Sequence, residues 1–463
     1  MPERLTALDA QFLHLETPAN HMHVAGLMIY EAAGRPGGPL TFDDLVRLID
    51  RRIHLVPRFR QKVRFLPLNL GRPVWVDDPG FDLAFHIRRS ALPAPGGRRE
   101  LAEAVQRIHS RPLDRSKPLW EMYFFEGLED GHVAVLSKVH HCMIDGMSGI
   151  DIATVLLDFT VEPRAVEPEP YVPYAEPSAP ELIAETIREQ ISNPIRAGLE
   201  MLDTARRAPR LAAEQLAGLA EGVASVLAAG QAPASPLNQP VGPNRRFAMT
   251  EATVDDFKLV KNALGGTVND VVLACVAGAL HRFLTARATA TTGMTLRAMV
   301  PVSTRDESKR MALGNRVTNI FVDLPVGPID EAERLRSISA LTKDLKSSHQ
   351  AIGAAAIMGA GAWAPPTLHA LAARLASRGR FINLTVSNVP GPQVPMYMDG
   401  ARLVLAYPMM PLAETAGLSI AVTSLSGMMG FGLTSDWDTL PDIDVVCDGI
   451  MQTLDALKKA AGA

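Results

Sequence analysis

The chain has 463 residues, 47% hydrophobic and 21% charged. That is enough apolar material for a large core and too much chain for one small module, so two domains or a pseudo-duplicated unit are expected. Forty-six Lys and Arg against 50 Asp and Glu leave a formal net charge of -4, which excludes wholesale electrostatic attraction to nucleic acid.

The first residues run through Asp9, His14 and Glu16 without an apolar stretch, so no secretory signal is expected there. Residues His23 to Tyr30 read as a strand, and Phe42 to Ile53 as a helix with Leu45, Leu48 and Ile49 on one face. Val133 to Val139 reads as a second strand, and Ile150 to Phe159, beyond a glycine-bearing turn, as a helix. At Val161 the composition changes: Pro163, Pro168, Pro170, Pro173, Pro177 and Pro180 predict a stiff, extended linker. Residues 181–230 are Ala-, Leu- and Glu-rich with helical spacing, broken at Pro194 and Pro209, and an irregular stretch follows to Arg246.

From Phe247 the α/β pattern returns. A helix is expected over Val268 to Thr285, a strand over Leu296 to Val302, a helix over Ala332 to Ser348 and a strand over Phe381 to Asn388. A hairpin joins Leu418 to Ser424 and Met429 to Thr434. The expected division is therefore 1–160, a Pro-rich and helical linker at 161–246, and 247–463. The longest apolar runs, around Val271 to Leu280 and Ala351 to Trp363, fall short of the roughly 20 residues that cross a bilayer, so any membrane contact should be peripheral. Three dispersed cysteines, Cys142, Cys275 and Cys447, fit neither a zinc ribbon nor a disulfide framework and suit a reducing cytoplasm.

The chemistry concentrates in Lys138-Val139-His140-His141-Cys142-Met143-Ile144-Asp145-Gly146-Met147-Ser148-Gly149. If the strand continues through His141, alternation points the two imidazoles to opposite faces, which disfavours a shared metal. An imidazole titrates near neutrality, so a shielded His141 is suited to take a proton from an alcohol attacking an acyl carbonyl. Asp145 just past the strand suits a brace for the turn, and Gly146 and Gly149 allow a tight path. A Cys/His nucleophile at Cys142 competes with a small buried side chain, because neighbouring residues rarely face each other.

His140-His141-x-x-x-Asp145-Gly146 resembles the HHxxxDG signature of CoA-dependent acyltransferases. The wider pattern resembles the bacterial wax ester synthase/diacylglycerol acyltransferase family: Leu5 to Phe12 is similar to its opening, Pro118-Leu119-Trp120 to its PLW block and Asn269-Asp270 to its ND block. Pro301-Val302-Ser303-Thr304-Arg305, Gly314-Asn315 and Asn388-Val389-Pro390-Gly391-Pro392 are similar to further blocks, in order along nearly the whole chain.

The resemblance implies an α/β fold of two chloramphenicol acetyltransferase-like domains, mixed sheets with flanking helices, meeting at a tunnel. It implies His141 as general base, with His140, Asp145 and Gly146 in the catalytic segment, and direct transfer of an acyl group from acyl-CoA, a co-substrate, with no other cofactor and no metal. Diacylglycerol or a fatty alcohol is the implied acceptor, at the cytoplasmic inner membrane surface or a lipid droplet. Arg60 stands where related enzymes carry an arginine near the motif Asp, and is the expected partner of Asp145. Asn269, Asp270, Ser148 and Trp120 are candidates to line the substrate site, each with a plain alternative: helix capping for Asn269, Asp270 and Ser148, core anchoring for Trp120. Arg305 and Arg310, with Lys309 and Arg316, are candidates for the CoA phosphates, against a solvated charged loop. Asn388, Pro390 and Gly391 fix a strand end and turn. A carrier-protein-dependent condensation enzyme and an inactive lipid-surface protein are the alternative readings.

Overall fold

Alternation builds the first strand: Ala25, Leu27 and Ile29 of β1 (His23–Tyr30) are buried and alternate with the less buried Val24, Gly26 and Met28. Ahead of it α1 (Ala7–Leu15) is N-capped by the Thr6 hydroxyl, and behind it α2 (Phe42–Arg52) starts at a capping box of Thr41 and Asp44 and buries Leu45, Leu48 and Ile49. The computed structural model describes residues 3–31, 35, 37–67, 71–143, 157–188, 230–303, 317–347 and 380–462. The first half continues with β2 (Gln61–Arg64), β3 (Val74–Asp77), α3 (Leu83–His86), β4 (Ile87–Ala91), α4 (Arg98–His109), β5 (Trp120–Glu126) and β6 (Val133–His140). Residues 157–159, expected to end a helix, are not helical, and the rest of that expected helix lies outside the described residues. Residues 161–178 are irregular as composition predicts and 179–188 are helical, while the remaining expected linker helices lie outside the described residues.

The second half comprises β7 (Arg245–Thr253), α5 (Val254–Leu264), α6 (Val268–Ala286), β8 (Thr295–Ser303), β9 (Val317–Pro325), α7 (Glu331–Ser347) and β10 (Leu384–Pro390). After these come β11 (Tyr397–Met398), β12 (Ala401–Met409), β13 (Leu418–Leu425), β14 (Met428–Asp436) and α8 (Ile443–Ala460). One six-stranded sheet has the order β11-β12-β1-β6-β5-β4 and the other β7-β14-β13-β10-β8-β9. Both are mixed: β4 runs parallel to β5, and β10 parallel to β8 and β13. The chain is thus a mixed α/β protein with two sheet-rich halves.

The expected boundary at 247 needs one correction. Residues Tyr397 to Met409 join the first sheet, where β12 runs antiparallel to β1 with Leu27 opposite Tyr407 and Ala25 opposite Met409. The edge of β1 not taken by β6 is satisfied by a strand from the far end of the chain, a pairing no local pattern announces. The crossing strand also lies backbone to backbone on the second sheet. A Cβ at Gly430 or Gly432 would fall 2.1 Å from the Ala406 carbonyl oxygen or 1.9 Å from that of Pro408, so only glycine permits this seam.

Helix α6 also amends a sequence expectation. Its 19 residues are long and apolar enough to cross a membrane by length and composition, yet 72% of its most apolar window is buried inside the protein. It packs against α8, α7 and α5, and its Val271 to Leu280 segment forms the centre of the second core.

Candidate active site

Strand β6 delivers the paired histidines and stops between them. The His140 N–H donates to the Leu119 carbonyl at 2.9 Å and His140 pairs with His23 across the sheet, so its ring is sealed in, 1% exposed. His141 opens a 3-10 turn (His141–Met143), its N–H held by the Met22 carbonyl at 2.8 Å. Its ring is half-buried and stacks on Phe12 of α1 with centroids 3.9 Å apart. The strand therefore ends one residue earlier than simple alternation requires, but the outcome is the same: the two rings serve different neighbours.

His140 works on the backbone. Its Nδ1 accepts the Cys142 N–H at 3.2 Å, so the ring proton sits on Nε2, which faces a Glu16 carboxylate oxygen at 3.6 Å. Glu16 also accepts the Met22 N–H at 3.2 Å and the Arg115 Nε–H at 3.0 Å. Burial pushes the Glu16 carboxyl up, but His140 and the Arg115 guanidinium outweigh it and hold the group at about 2. One ionised carboxylate thus holds the Met22 segment by a hydrogen bond and faces the His140 ring that caps the turn carrying His141.

Cys142, 2% exposed, has its thiol pushed well above the usual range by burial and by the nearby carboxylates of Asp9 and Glu16. It is a neutral core side chain with no thiolate to offer. Among the described residues no group of three or more His, Cys, Asp or Glu side chains is placed to hold a metal ion.

On the second half, Asn269 near the start of α6 and Asn388 on β10 meet: the Asn388 amide donates to the Asn269 Oδ1 at 3.4 Å, and both are half-buried. Gly391, past the exposed Pro390, donates its N–H to the Ser424 carbonyl at 2.9 Å. A Cβ there would lie 2.5 Å from that oxygen, which explains the glycine. Leu425, next to Ser424, belongs to the apolar cluster that contains Cys142, Met143, Leu157, Met396 and Met398, so this turn packs into the same core as the histidine turn.

Two candidates for the substrate site turn out to be framework. Asp270 is 2% exposed, with one oxygen closing a capping box on the Thr267 N–H at 2.8 Å and the other accepting the Thr342 hydroxyl at 2.7 Å. Trp120 is 1% exposed, donates its indole N–H to the Phe59 carbonyl at 2.8 Å and stacks on His86. Neither presents a free polar atom or surface to a substrate. Arg60 sits with its guanidinium 4.5 Å from the centroid of Tyr171, a residue of the Pro-rich segment. Asp145, its expected partner, lies outside the described residues, as do Gly146, Ser148, Arg305 and Arg310.

Glu16, Phe12 and Arg115 are the residues that the sequence reading did not assign. The block Leu5 to Phe12 matched a family opening without a chemical reason, and its position beside the 3-10 turn supplies one: it carries Phe12 and leads into Glu16.

Comparison with known proteins completes the description. Residues 5–272 match the wax ester synthase/diacylglycerol acyltransferase catalytic domain and residues 313–458 the corresponding C-terminal domain. A Mycobacterium tuberculosis protein named a diacylglycerol O-acyltransferase is 36% identical over 461 residues, covering 98% of this chain and 90% of the relative. A second from that species is 33% identical over 460 residues, covering 98% of each chain. The solved wax ester synthase/diacylglycerol acyltransferase from Marinobacter aquaeolei superposes with a TM-score of 0.72 at 29% identity over 100% of both chains. A starter condensation domain of rhizomide synthetase shares the fold, with a TM-score of 0.58 at 14% identity over 100% of this chain and 95% of that one.

Proposed function

The chain belongs to the wax ester synthase/diacylglycerol acyltransferase family and is an acyltransferase, and from that premise we propose that it moves a long-chain acyl group from acyl-CoA to the hydroxyl of diacylglycerol or of a fatty alcohol, with His141 as general base. The observation that carries this reading is the contrast between the two histidines. His140 is buried, its Nδ1 on the Cys142 N–H and its other edge facing Glu16, whereas His141 is half-buried at the start of the turn, its N–H held by Met22 and its ring stacked on Phe12.

The acceptor hydroxyl gives its proton to His141 as its oxygen attacks the thioester carbonyl carbon. The carbon–sulfur bond of the tetrahedral adduct then breaks, and the CoA sulfur leaves with the proton that His141 returns. The neutral, buried thiol of Cys142 favours this direct route over a covalent acyl-enzyme. Asp145 and Gly146 shape the turn, Asn269 and Ser148 are the candidate donors to the developing oxyanion, and Arg305 and Arg310 are the candidates for the CoA phosphates. Acyl-CoA is a co-substrate and no further cofactor enters the scheme. A lipid acceptor puts the enzyme at the cytoplasmic face of the inner membrane or on lipid droplets, as a peripheral protein.

Purified protein given labelled palmitoyl-CoA with diolein or hexadecanol, and an acyl-carrier thioester as a rival donor, tests donor and acceptor together. His141→Ala should lower transfer by about 100- to 10,000-fold while keeping the fold, as circular dichroism would report. Full activity in that variant removes the general-base assignment.

A further inference from the structure

We propose that Asp158 is a positioning residue for acyl transfer, acting through a buried ion pair with Arg52. Its place in the fold rests on four observations. Arg52, the last residue of α2, donates from Nη2 to both carboxylate oxygens of Asp158, at 3.0 and 2.8 Å, and both side chains are 2% exposed. The backbone of Asp158 exchanges both hydrogen bonds with Tyr397 of β11, at 2.9 and 2.8 Å, so the chain is stitched to a strand from the second half. Arg164, at the head of the Pro-rich segment, donates its backbone N–H to the same carboxylate at 3.4 Å. Leu157, the preceding residue, is 2% exposed and packs in the cluster that holds Cys142 and Met143 of the histidine turn, together with Met396 and with Met398 of β11.

Asp158 therefore joins three parts of the molecule, α2, the head of the Pro-rich segment and β11, next to Leu157 in the cluster of the histidine turn. A buried ion pair is a poor way to gain stability, since removing two charges from water costs about what their attraction returns, and an apolar pair of like volume would hold the packing as well. What the pair supplies is a unique geometry. A carboxylate held by the buried Arg52 guanidinium, with the Arg164 Nε at 3.4 Å and the Arg164 backbone N–H on its other side, admits a single register, whereas apolar side chains slide. Through Leu157 and its cluster, that register sets where the His141 turn stands against the second half. Acyl transfer needs His141, hydroxyl and thioester in one alignment, and a displacement of about 1 Å costs up to a hundredfold.

This inference rests on the assignment of His141 as base, and the experiment separates the two. The full-length chain is prepared as parent, Asp158→Asn, the double variant Arg52→Met with Asp158→Leu, and His141→Ala. Melting is followed by circular dichroism, and kcat and KM for palmitoyl-CoA are measured with diolein as acceptor. Asp158→Asn should lower kcat by about ten- to a hundredfold with KM changed less than about twofold. The double variant should recover the parent melting temperature and still show the kcat loss, which a purely structural role does not produce. A folded Asp158→Asn or double variant with kcat within about twofold of the parent overturns the proposal. If only Asp158→Asn folds, its split between kcat and KM decides. Activity retained in His141→Ala strikes the base assignment instead, whatever the clasp variants show.

Discussion

One buried histidine, His140, and a buried cluster of three, His21, His23 and His109, lie side by side and behave differently. His140 has a carboxylate at its edge, Glu16, and uses its other nitrogen to hold the Cys142 N–H. Across the strand pair from it, His23 stacks near His21 and meets His109 edge-on, and His21 and His23 donate to the carbonyls of Ser110 and His109. The charged groups acting on this second cluster are mainly cations, Lys138 and Arg245, with Glu16 reaching only His21. Burial first, and behind it Arg245 for His21, His109 and then Lys138 for His23, and Lys138 and Arg245 for His109, push all three imidazoles down, His23 far down and His109 to about 3. His140 thus anchors a backbone turn, while burial, reinforced by nearby cations, keeps His23 and His109 as neutral packing.

The largest effect expected from this contrast is on stability against pH. The folded rings of His23 and His109 resist protons that the unfolded chain accepts below its ordinary value of 6.5, so the unfolded state binds more protons there and stability falls on acidification. Between pH 6.5 and 5 the slope should approach two protons, about 3 kcal/mol per pH unit, seen as a falling urea midpoint. His109→Gln should remove about one proton from that slope; an unchanged slope breaks the distinction between the clusters.

Glu16 shifts in the same direction, downward, and so gives the same acid sensitivity in a lower window. Its depressed carboxyl stabilises the fold above about 4.5 and loses that contribution as pH falls toward 2. Glu16→Ala should cost about 2 to 3 kcal/mol in urea denaturation at pH 7.5, by stripping the Met22 N–H and Arg115 of their acceptor, and should lower acyl transfer about tenfold by loosening the His141 turn. Loss of stability without loss of transfer would reduce Glu16 to framework. The smallest effect belongs to Cys142→Ala. The backbone N–H that His140 holds is unchanged, so transfer should stay within about twofold and stability drop by about 1 kcal/mol. A large loss of transfer would reopen a covalent route.

Much of the fold was readable because its signals are local. The alternation of His23 to Tyr30, the stripe Leu45, Leu48 and Ile49 behind Thr41, and the apolar run after Thr267 each match an observed element within a residue or two. The same locality left Trp120 and Asp270 open between a substrate role and framework. Motif company suggested a substrate role for both, while their burial and partners, Phe59, His86 and Thr342, come from distant segments.

Sequence alone determined the most strongly patterned secondary elements, the Pro-rich break and the histidine pair, because periodicity, capping and composition act over a few residues. Tertiary structure decided that β12 crosses to the first sheet, that Glu16 meets His140, and that Arg52 closes on Asp158. Those are choices among partners far apart in the chain, made by which buried backbone edges and charges lack a partner nearby, and no local pattern records them.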